Sequence, residues 1–205
     1  MKSENEKRAW VDVYVSPLPD TEVKAPILPR ERELEIESVS SERIRKEKYH
    51  AWRLLEYALR ESLGLSLPEA GLYKHISGKW RSPRAELSIS HSGGAVAVAV
   101  SHYPVGVDIE RADRVLDPGF ARRMLTAGER DALGECGCEC VLLVWCKKEA
   151  LFKSLCESRF IPRVTETLDA PIWSDRVTVG GVPYYLAVAS REGADVRIIP
   201  CEGVL

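Results

Sequence analysis

The strongest constraint on the fold is an order of elements that occurs twice along the chain. In the first half, "WVDVYV" (residues 10–15) alternates apolar and polar residues as a strand does. A Pro- and Glu-rich stretch, which we predict to be loop, extends to residue 37. Apolar residues then recur at helical spacing from Ser40 to Leu63, and Gly64 is the expected helix stop. Three short strand-like runs follow: "LYKHIS", "ELSIS" and "AVAVAVS".

The second half repeats this order. "VGVDIE" is predicted to be a strand, and "CVLLVWCKKEALFKSLCE" (residues 140–157) a long helix. Between them, Asp117-Pro118 has the residue types of a helix start, and Thr126 and Glu129 have the spacing of a capping box. The runs "RVTVGG", "PYYLAVAS" and "DVRIIP" are predicted to be three closing strands.

These patterns predict an α+β fold built from two similar halves related by a pseudo-twofold axis. Each half would be a small, mainly antiparallel sheet with a long helix packed on it. The halves are predicted as residues 1–104 and 105–205, and the cleft between them is the natural place for a functional site. Because two fused halves enclose their own cleft, we also predict a monomer.

Composition and charge exclude several classes of protein. The 205 residues, 45% hydrophobic and 29% charged, are typical of a globular protein with a substantial core. A net charge of −2 excludes a globally basic nucleic-acid binder, and the longest apolar runs are too short to span a membrane. The first residues contain no apolar signal segment, so we expect a cytoplasmic protein with reduced cysteines and neither nucleic-acid nor membrane partners.

The stretch "ECGCEC" (residues 135–140) places three cysteines at alternate positions. Cys136, Cys138 and Cys140 have Cys146 close behind, and four thiolates can bind zinc. The usual zinc spacing of two C-x2-C pairs is absent, however. The favoured interpretation is a loop that leads into the following helix, and a structural zinc site is the alternative.

Two carboxylates lie close together in the predicted strand "GVDIE". Asp108 and Glu110 are two residues apart, so they point to the same face with side chains roughly 7 Å apart. Like charges at that distance repel each other. Either this face is a solvated edge, or a divalent cation lies between the carboxylates.

The long helix at residues 140–157 interrupts its own apolar face with a lysine. At about 100° per residue, one arc carries Val141, Val144, Trp145, Phe152 and Leu155. Lys148 falls in the middle of this arc, and Glu149 and Lys153 lie one turn apart at its margin. Taken alone, this pattern favours a snorkelling lysine and a surface ion pair. Beside the two strand carboxylates, it favours Glu149 as a third magnesium ligand, with Lys148 reaching a phosphate or a carboxylate in the cleft.

The stretch "SISHSGG" (residues 88–94) combines hydroxyls, an imidazole and a glycine turn. Ser90, His91 and Ser92 at such a turn can form a phosphate-binding nest. A Ser-His pair also raises nucleophilic catalysis as an alternative. Adjacent residues seldom make the hydrogen bond that a triad needs, and the G-x-S-x-G elbow is absent, so we favour the phosphate site.

Three stretches, taken in order, resemble the motifs of the 4′-phosphopantetheinyl transferases of the surfactin-synthetase type: "SISHS", "GVDIE" and "WCKKEALFK". The motifs extend over residues 78–153, and the C-terminal strands agree only in outline. The resemblance implies an enzyme that transfers 4′-phosphopantetheine from coenzyme A to a serine of an apo acyl or peptidyl carrier protein and releases 3′,5′-ADP. It also implies that the first half binds the adenosine and 3′-phosphate of coenzyme A, and that the second half holds Mg²⁺ and the catalytic carboxylates.

The resemblance also assigns roles to individual residues. It makes Asp108, Glu110 and Glu149 the ligands of Mg²⁺. Glu149 would take the proton from the carrier serine, directly or through water, and Lys153 would act beside it by contacting the pyrophosphate. The remaining residues that we expect to bind coenzyme A are Arg53, Lys79, Ser90, His91, Ser92 and Lys148, with Arg53 and His91 at the adenosine 3′-phosphate.

The chain departs from the family pattern at two positions before the "SHS" motif. Trp80 follows Lys79 where proline is common, and Ser88 replaces the usual asparagine. Upstream, Arg45 and Lys48 are the candidates for further contacts to coenzyme A. Two alternatives stay open: another magnesium-dependent phosphotransferase or pyrophosphate-cleaving enzyme, and a catalytically silent module that binds carrier proteins. Fatty-acid, polyketide and nonribosomal-peptide carriers are all compatible with these motifs.

Overall fold

The computed structural model describes residues 9–21, 26–135, 137–155 and 159–203. The helices are α1 (Arg30–Glu37), α2 (Glu42–Leu63), α3 (Leu67–Ala70), α4 (Phe120–Met124), α5 (Ala127–Leu133) and α6 (Cys138–Leu155), with a 3-10 helix at Pro162–Val164. The strands are β1 (Trp10–Pro17), β2 (Tyr73–Lys74), β3 (Trp80–Arg81), β4 (Glu86–Ser92), β5 (Ala95–Ser101), β6 (Gly106–Arg111), β7 (Ile172–Val179), β8 (Val182–Ala189) and β9 (Asp195–Pro200). None of the described helices is both long enough and apolar enough to cross a bilayer.

The strands form two main sheets and a short hairpin of β2 and β3. In the first sheet the order is β4, β5, β1 and β9, and in the second it is β6, β8 and β7. Neighbouring strands are antiparallel except for β9, which runs parallel to β1 with Asp195 opposite Trp10. The last strand of the second half therefore completes the sheet of the first. This mixture of helices and small sheets confirms the α+β prediction, and the pseudo-twofold relation stays a prediction.

Alternating side chains on β5 explain how the layers stack. Its valines share a core with α2, whereas its alanines share a second core with β1, β6 and β8. Cys146 and Ala150 of α6 pack on the other face of β8. The order of layers is therefore α2, first sheet, second sheet and α6. Since β5 is buried on both faces, valine and alanine alternate along residues 95–100, and the polar residue at its end, Ser101, donates to Trp10 O.

Two predicted helix ends are confirmed, and a third lies close to its predicted position. α2 was predicted from Ser40 and begins at Glu42, and Ser41 caps it by accepting a hydrogen bond from the Ile44 backbone N–H. Gly64 ends the same helix at φ 66°, in the left-handed region where glycine has no steric penalty. Thr126 and Glu129 make both hydrogen bonds of the predicted capping box at the start of α5.

Several local predictions are wrong. The stretch expected to be loop contains α1, because arginine–glutamate pairs along it and the burial of Ile36 stabilise a helix that has no apolar periodicity. α4 begins at Phe120 and not directly after Asp117, because the Asp117 carboxylate accepts a hydrogen bond from Gly119 N and holds a turn ahead of the helix. The run "LYKHIS" forms a strand only at Tyr73–Lys74.

The cysteines near α6 do not all have the expected state. Cys138 and Cys140 lie in the first turn of α6, as the helix-start interpretation predicts, and Cys136 lies outside the described residues. Cys138 is a free, exposed thiol, and Cys146 is free and buried. Cys140 is disulfide-bonded, so the expectation of reduced thiols is wrong at this position.

Candidate active site

The serines of β4 meet the carboxylates of β6 along the line where the two sheets touch. Ser90 Oγ donates to Asp108 Oδ1 and Ser92 Oγ donates to Glu110 Oε2, each at 2.7 Å. Ser88 Oγ accepts from the backbone of β6 at 3.0 Å. All three serines point to β6 because alternate residues of a strand share a face. The motifs "SISHS" and "GVDIE" are thus brought together by neighbouring strands.

The predicted phosphate nest has a different geometry from the one expected. Ser90, His91 and Ser92 lie in β4 and not in the turn, so the imidazole points away from the two hydroxyls. His91 Nδ1 lies 3.2 Å from Oε2 of Glu47, a buried residue of α2. The hydrogen bond from His91 lowers the pKa of Glu47, and Arg43 adds to this effect, although burial acts in the opposite direction.

The glycine of "GVDIE" is required by the close approach of α6. A Cβ atom on Gly106 would lie 1.9 Å from Ala150 O and 2.5 Å from Ser154 N, so no side chain fits there. This contact places β6 directly against the turn of α6 that contains Lys153. Lys153 Nζ donates to Asp108 Oδ1 at 2.7 Å. The third motif thereby joins the other two.

Asp108 and Lys153 form the centre of the site. Lys153 Nζ also donates to Ser90 Oγ at 3.1 Å and to Val107 O at 3.2 Å. Burial acts to lower the pKa of Lys153, but the Asp108 carboxylate and its hydrogen bond outweigh burial and raise it. Within the described part of the chain, Asp108 Oδ2 is buried and has no hydrogen-bond partner. An unpaired buried carboxylate oxygen is costly, so this atom is suited to a ligand.

Three side chains donate hydrogen bonds to the carboxylate of Glu110, whereas the carboxyl of Glu149 is half-buried near two other carboxylates. Glu110 Oε1 accepts from Trp145 Nε1 at 2.9 Å and from Arg114 at 2.7 Å, in addition to the Ser92 bond to Oε2. Glu149 has its pKa raised to about 7, chiefly by burial and further by the negative charges of Asp108 and Glu110, against the opposing effect of Lys153. A carboxyl with such a pKa can exchange a proton near neutral pH.

Two adjoining cavities open at this point. The first, which we call the carboxylate cavity, has a volume of about 250 Å³ and is lined by Ile89, Ser90, His91, Asp108, Glu110, Trp145, Glu149 and Lys153. The second, which we call the aromatic cavity, has a volume of about 300 Å³ and is lined by Arg32, Trp52, Ser77, Gly78, Lys79, Trp80, Leu87, Ser88, Ile89, His91, Phe152 and Lys153. Ile89, His91 and Lys153 line both cavities, so a ligand could extend from one into the other.

Residues 104–179 match the family model of the 4′-phosphopantetheinyl transferase superfamily. The matched segment contains β6, α6 and β7 and therefore Asp108, Glu110, Glu149 and Lys153. The chain matches none of the curated proteins. The transferase motifs and the converging geometry thus point to the same residues. Assignment to the surfactin-synthetase type stays a prediction.

A transferase of this superfamily is expected to use Mg²⁺, and the residues of the site can be tested against that ion. Among the described residues, no three His, Cys, Asp or Glu side chains are already close enough together to hold a metal ion. Asp108 Oδ2 and the half-buried carboxyl of Glu149 nevertheless offer oxygens that a hard cation prefers. Glu110 Oε1 accepts two hydrogen bonds and Oε2 accepts one, so Oε2 keeps one lone pair with which Glu110 could join them as a ligand. The residues fit a cation held first by Asp108 and Glu149.

Some of the basic residues expected to bind coenzyme A line a cavity, and others do not. Lys79 lines the aromatic cavity and donates to Val105 O at 2.9 Å and to Lys153 O at 2.7 Å, which ties the β2–β3 hairpin to α6. Arg53, Arg45 and Lys48 are not among the described residues that line the two cavities. Arg45 instead donates to Val39 O at 2.8 Å. The roles of Arg53, Arg45 and Lys48 stay predictions.

Lys148 does not have the position expected for a ligand of coenzyme A. Its side chain is fully buried, and Nζ lies 2.6 Å from Glu129 Oε2 of α5. It also donates to Pro162 O at 2.9 Å and to Thr165 O. Lys148 was predicted to reach a phosphate or a carboxylate in the cleft, and it instead pairs with a carboxylate that lies outside both cavities. The helical pattern placed Lys148 on an apolar arc correctly, and it contained no information on which distant acid would pair with it.

Four residues that line a cavity or contact a predicted site residue were not identified in these roles from the sequence. Glu47 and Glu129 contact predicted site residues across long stretches of chain, so no local spacing reveals them. Arg32 lines the aromatic cavity from a helix that was expected to be loop. One available signal was the i, i+4 spacing of Glu110 and Arg114, although that spacing is usually noticed only on helices.

Proposed function

We propose that this protein transfers 4′-phosphopantetheine from coenzyme A to a serine hydroxyl of an apo acyl or peptidyl carrier protein and releases 3′,5′-ADP. The observation that carries the proposal is the convergence of Asp108, Glu149 and Lys153 on one cavity, inside a segment that matches the transferase superfamily. An adjoining cavity with aromatic walls and basic residues supports coenzyme A as the donor. We also infer that the protein acts as a monomer in the cytoplasm.

The aromatic cavity is suited to the nucleotide part of coenzyme A. Trp80 and Phe152 offer ring surfaces for the adenine, and Lys79 and Arg32 offer positive charge. His91 lies between the two cavities and is held by Glu47. On this proposal, the pyrophosphate extends past His91 toward Lys153 in the carboxylate cavity.

The reaction needs an acceptor for one proton and positive charge for the phosphates. The serine oxygen forms a bond to the β-phosphorus, while the bond from that phosphorus to the oxygen that leaves with 3′,5′-ADP breaks. Glu149 takes the serine proton, directly or through water, and its raised pKa suits this task near neutral pH. Lys153, held by Asp108, donates to the pyrophosphate as negative charge develops. Mg²⁺ bound by Asp108 and Glu149 would supply further neutralisation of that charge.

The proposed function is tested by incubating the protein with coenzyme A, Mg²⁺ and an apo carrier protein, and then measuring the intact mass of the carrier. We expect a mass increase of one phosphopantetheine and a stoichiometric release of 3′,5′-ADP. Release of nucleotide without modification of the carrier would favour another phosphotransferase or a pyrophosphate-cleaving enzyme. Binding of the carrier without any turnover would favour a silent binding module. Lys147→Met, a substitution next to the buried Lys148, serves as the active control.

A further inference from the structure

A buried ion pair ties together three parts of the second half. Lys148 of α6 and Glu129 of α5 are both inaccessible to solvent, and Nζ and Oε2 lie 2.6 Å apart. Glu129 Oε2 also accepts from Thr126 N at 2.9 Å, and its Oε1 accepts from Thr167 Oγ1 at 2.7 Å. Breaking such a pair is costly because it leaves one charge buried without a partner. The pair therefore fixes α5, α6 and the chain around Thr167 relative to one another.

The segment held by this pair comprises residues 159–168, which we call the rim segment. Lys148 donates to the carbonyl oxygens of Pro162 and Thr165 within it. Thr126 Oγ1 donates to Glu166 Oε2 at 2.7 Å, which adds a second link to α5. Most of the rim segment has no regular secondary structure, so these links to α5 and α6 are what orient it.

The rim segment adjoins both cavities through an aromatic contact. Phe160 stacks on Phe152 with ring centroids 4.8 Å apart, and its centroid lies 5.6 Å from that of Trp145. Phe152 lines the aromatic cavity, and Trp145 lines the carboxylate cavity. A movement of the rim segment would therefore disturb one wall of each cavity.

Three large apolar side chains of the rim segment are exposed to solvent. Ile161, Val164 and Leu168 are 38%, 72% and 55% exposed. Arg159 and Arg163 are exposed beside them. An apolar patch flanked by arginines, on a segment fixed from within, is typical of a surface that binds another protein. Its chemistry fits a partner that presents apolar side chains and carboxylates.

We propose that the rim segment, held in place by Lys148 and Glu129, is the docking surface for the protein substrate. This inference rests on the proposed function, in which a serine on a folded carrier must approach Glu149. Phe160 of the rim segment packs on Trp145, which lines the carboxylate cavity. When the serine enters this cavity, the surface of the carrier around the serine therefore lies against the rim segment. Lys148 is on this view a positioning residue, and it acts on the reaction through the carrier and not through coenzyme A.

The docking surface is tested with a carrier whose acceptor serine is changed to alanine, so that binding is measured without turnover. The double variant Ile161→Ser/Val164→Ser should weaken carrier binding about ten-fold or more, since anchors at an interface core commonly contribute that much. Its affinity for coenzyme A, measured by calorimetry, should stay within about two-fold of wild type. Ile27→Ser, at a position that is 83% exposed, is the matched control and should bind both ligands normally. Wild-type affinity for the carrier in the double variant would overturn the proposal, whether or not the wild-type protein transfers phosphopantetheine.

The positioning role is tested by removing the ion pair without leaving a buried charge. In Lys148→Met/Glu129→Gln, glutamine can still complete the capping box, whereas Pro162 O and Thr165 O lose their donor. We expect trypsin to cleave native protein faster after Arg159 and Arg163 than in the Lys147→Met control, with cleavage after Arg191 unchanged. Carrier binding should weaken while coenzyme A binding persists. Equal losses for both ligands, or unchanged cleavage at the two arginines, would show that the pair stabilises the fold in general and would overturn the assignment.

Discussion

Glu149 offers the most direct test of the electrostatics of the site. Burial, Asp108 and Glu110 together raise its pKa from 4.5 to about 7. In the unfolded chain the carboxyl has its ordinary pKa, so the folded protein binds the extra proton between pH 4.5 and about 7. The stability associated with this proton is complete below pH 4.5 and is lost as the pH rises through 7. The ionised carboxylate therefore destabilises the folded protein at alkaline pH.

The size of this effect follows from the pKa shift. At 1.36 kcal/mol for each pH unit, a rise from 4.5 to about 7 corresponds to roughly 3 kcal/mol. Because part of the Glu149 side chain reaches solvent, which screens the charge, we expect about 2 kcal/mol. Glutamine has nearly the same shape and does not ionise. Glu149→Gln should therefore be more stable than wild type at pH 8 while losing the proton acceptor of the reaction.

The measurement is urea unfolding at pH 5 and pH 8, without divalent cations and without coenzyme A. We expect wild type to lose about 2 kcal/mol relative to Glu149→Gln between the two conditions. Glu139→Gln, at an exposed position of α6, is the control and should follow wild type at both pH values. A difference between wild type and Glu149→Gln that is the same at both pH values would refute the raised pKa, and with it the reason for choosing Glu149 as the proton acceptor.

Four further predictions concern the ligands and the packing. Activity should require a divalent cation, and Asp108→Asn should lower kcat about 100-fold or more; full turnover in excess EDTA, checked by the carrier mass assay, would contradict the assignment of Asp108. His91→Ala and Glu47→Gln should weaken coenzyme A more than dephospho-coenzyme A, by about 1.5–3 kcal/mol for the histidine, and equal losses in calorimetry would place His91 elsewhere than at the 3′-phosphate. Gly106→Ala should cost about 3 kcal/mol or more of unfolding free energy, because the new methyl group would overlap the α6 backbone. Cys138→Ser should leave the melting temperature unchanged, since this thiol is free and exposed.

The parts of the fold that were predictable are those encoded by local patterns. The helical spacing of apolar residues predicts α2, and the short apolar run "AVAVAVS" predicts β5. The three-residue spacing of Thr126 and Glu129 predicts the capping box. Asp108 and Glu149 each lie in a short motif of the sequence, and both side chains line the carboxylate cavity; their roles as ligands of Mg²⁺ stay predictions. α1 was missed because its stabilisation comes from charge pairs and one buried isoleucine, which leave no apolar periodicity.

Contacts between distant segments could not be predicted in the same way. The pairing of Lys148 with Glu129 depends on how α5 and α6 pack, and a carboxylate at any of several positions would have satisfied the lysine equally well. The pairing of His91 with Glu47 likewise joins β4 to α2 across the first sheet. In both cases the sequence indicates that a buried charge needs a partner, and the tertiary structure selects which one.

Because β9 pairs in parallel with β1, strand β1 gains this neighbour only after residues 195–200 have been synthesised. During synthesis, the ribosome releases residues 10–17 long before residues 195–200, so the outer edge of β1 stays open until residues 195–200 have been made. Closure of this long loop should slow folding relative to a chain of the same size with local pairing only. A circular permutant of residues 1–205 that starts near residue 192 and links Leu205 to Met1 would place the two strands close in the sequence. Such a permutant should refold faster than the natural order while keeping the same cavities.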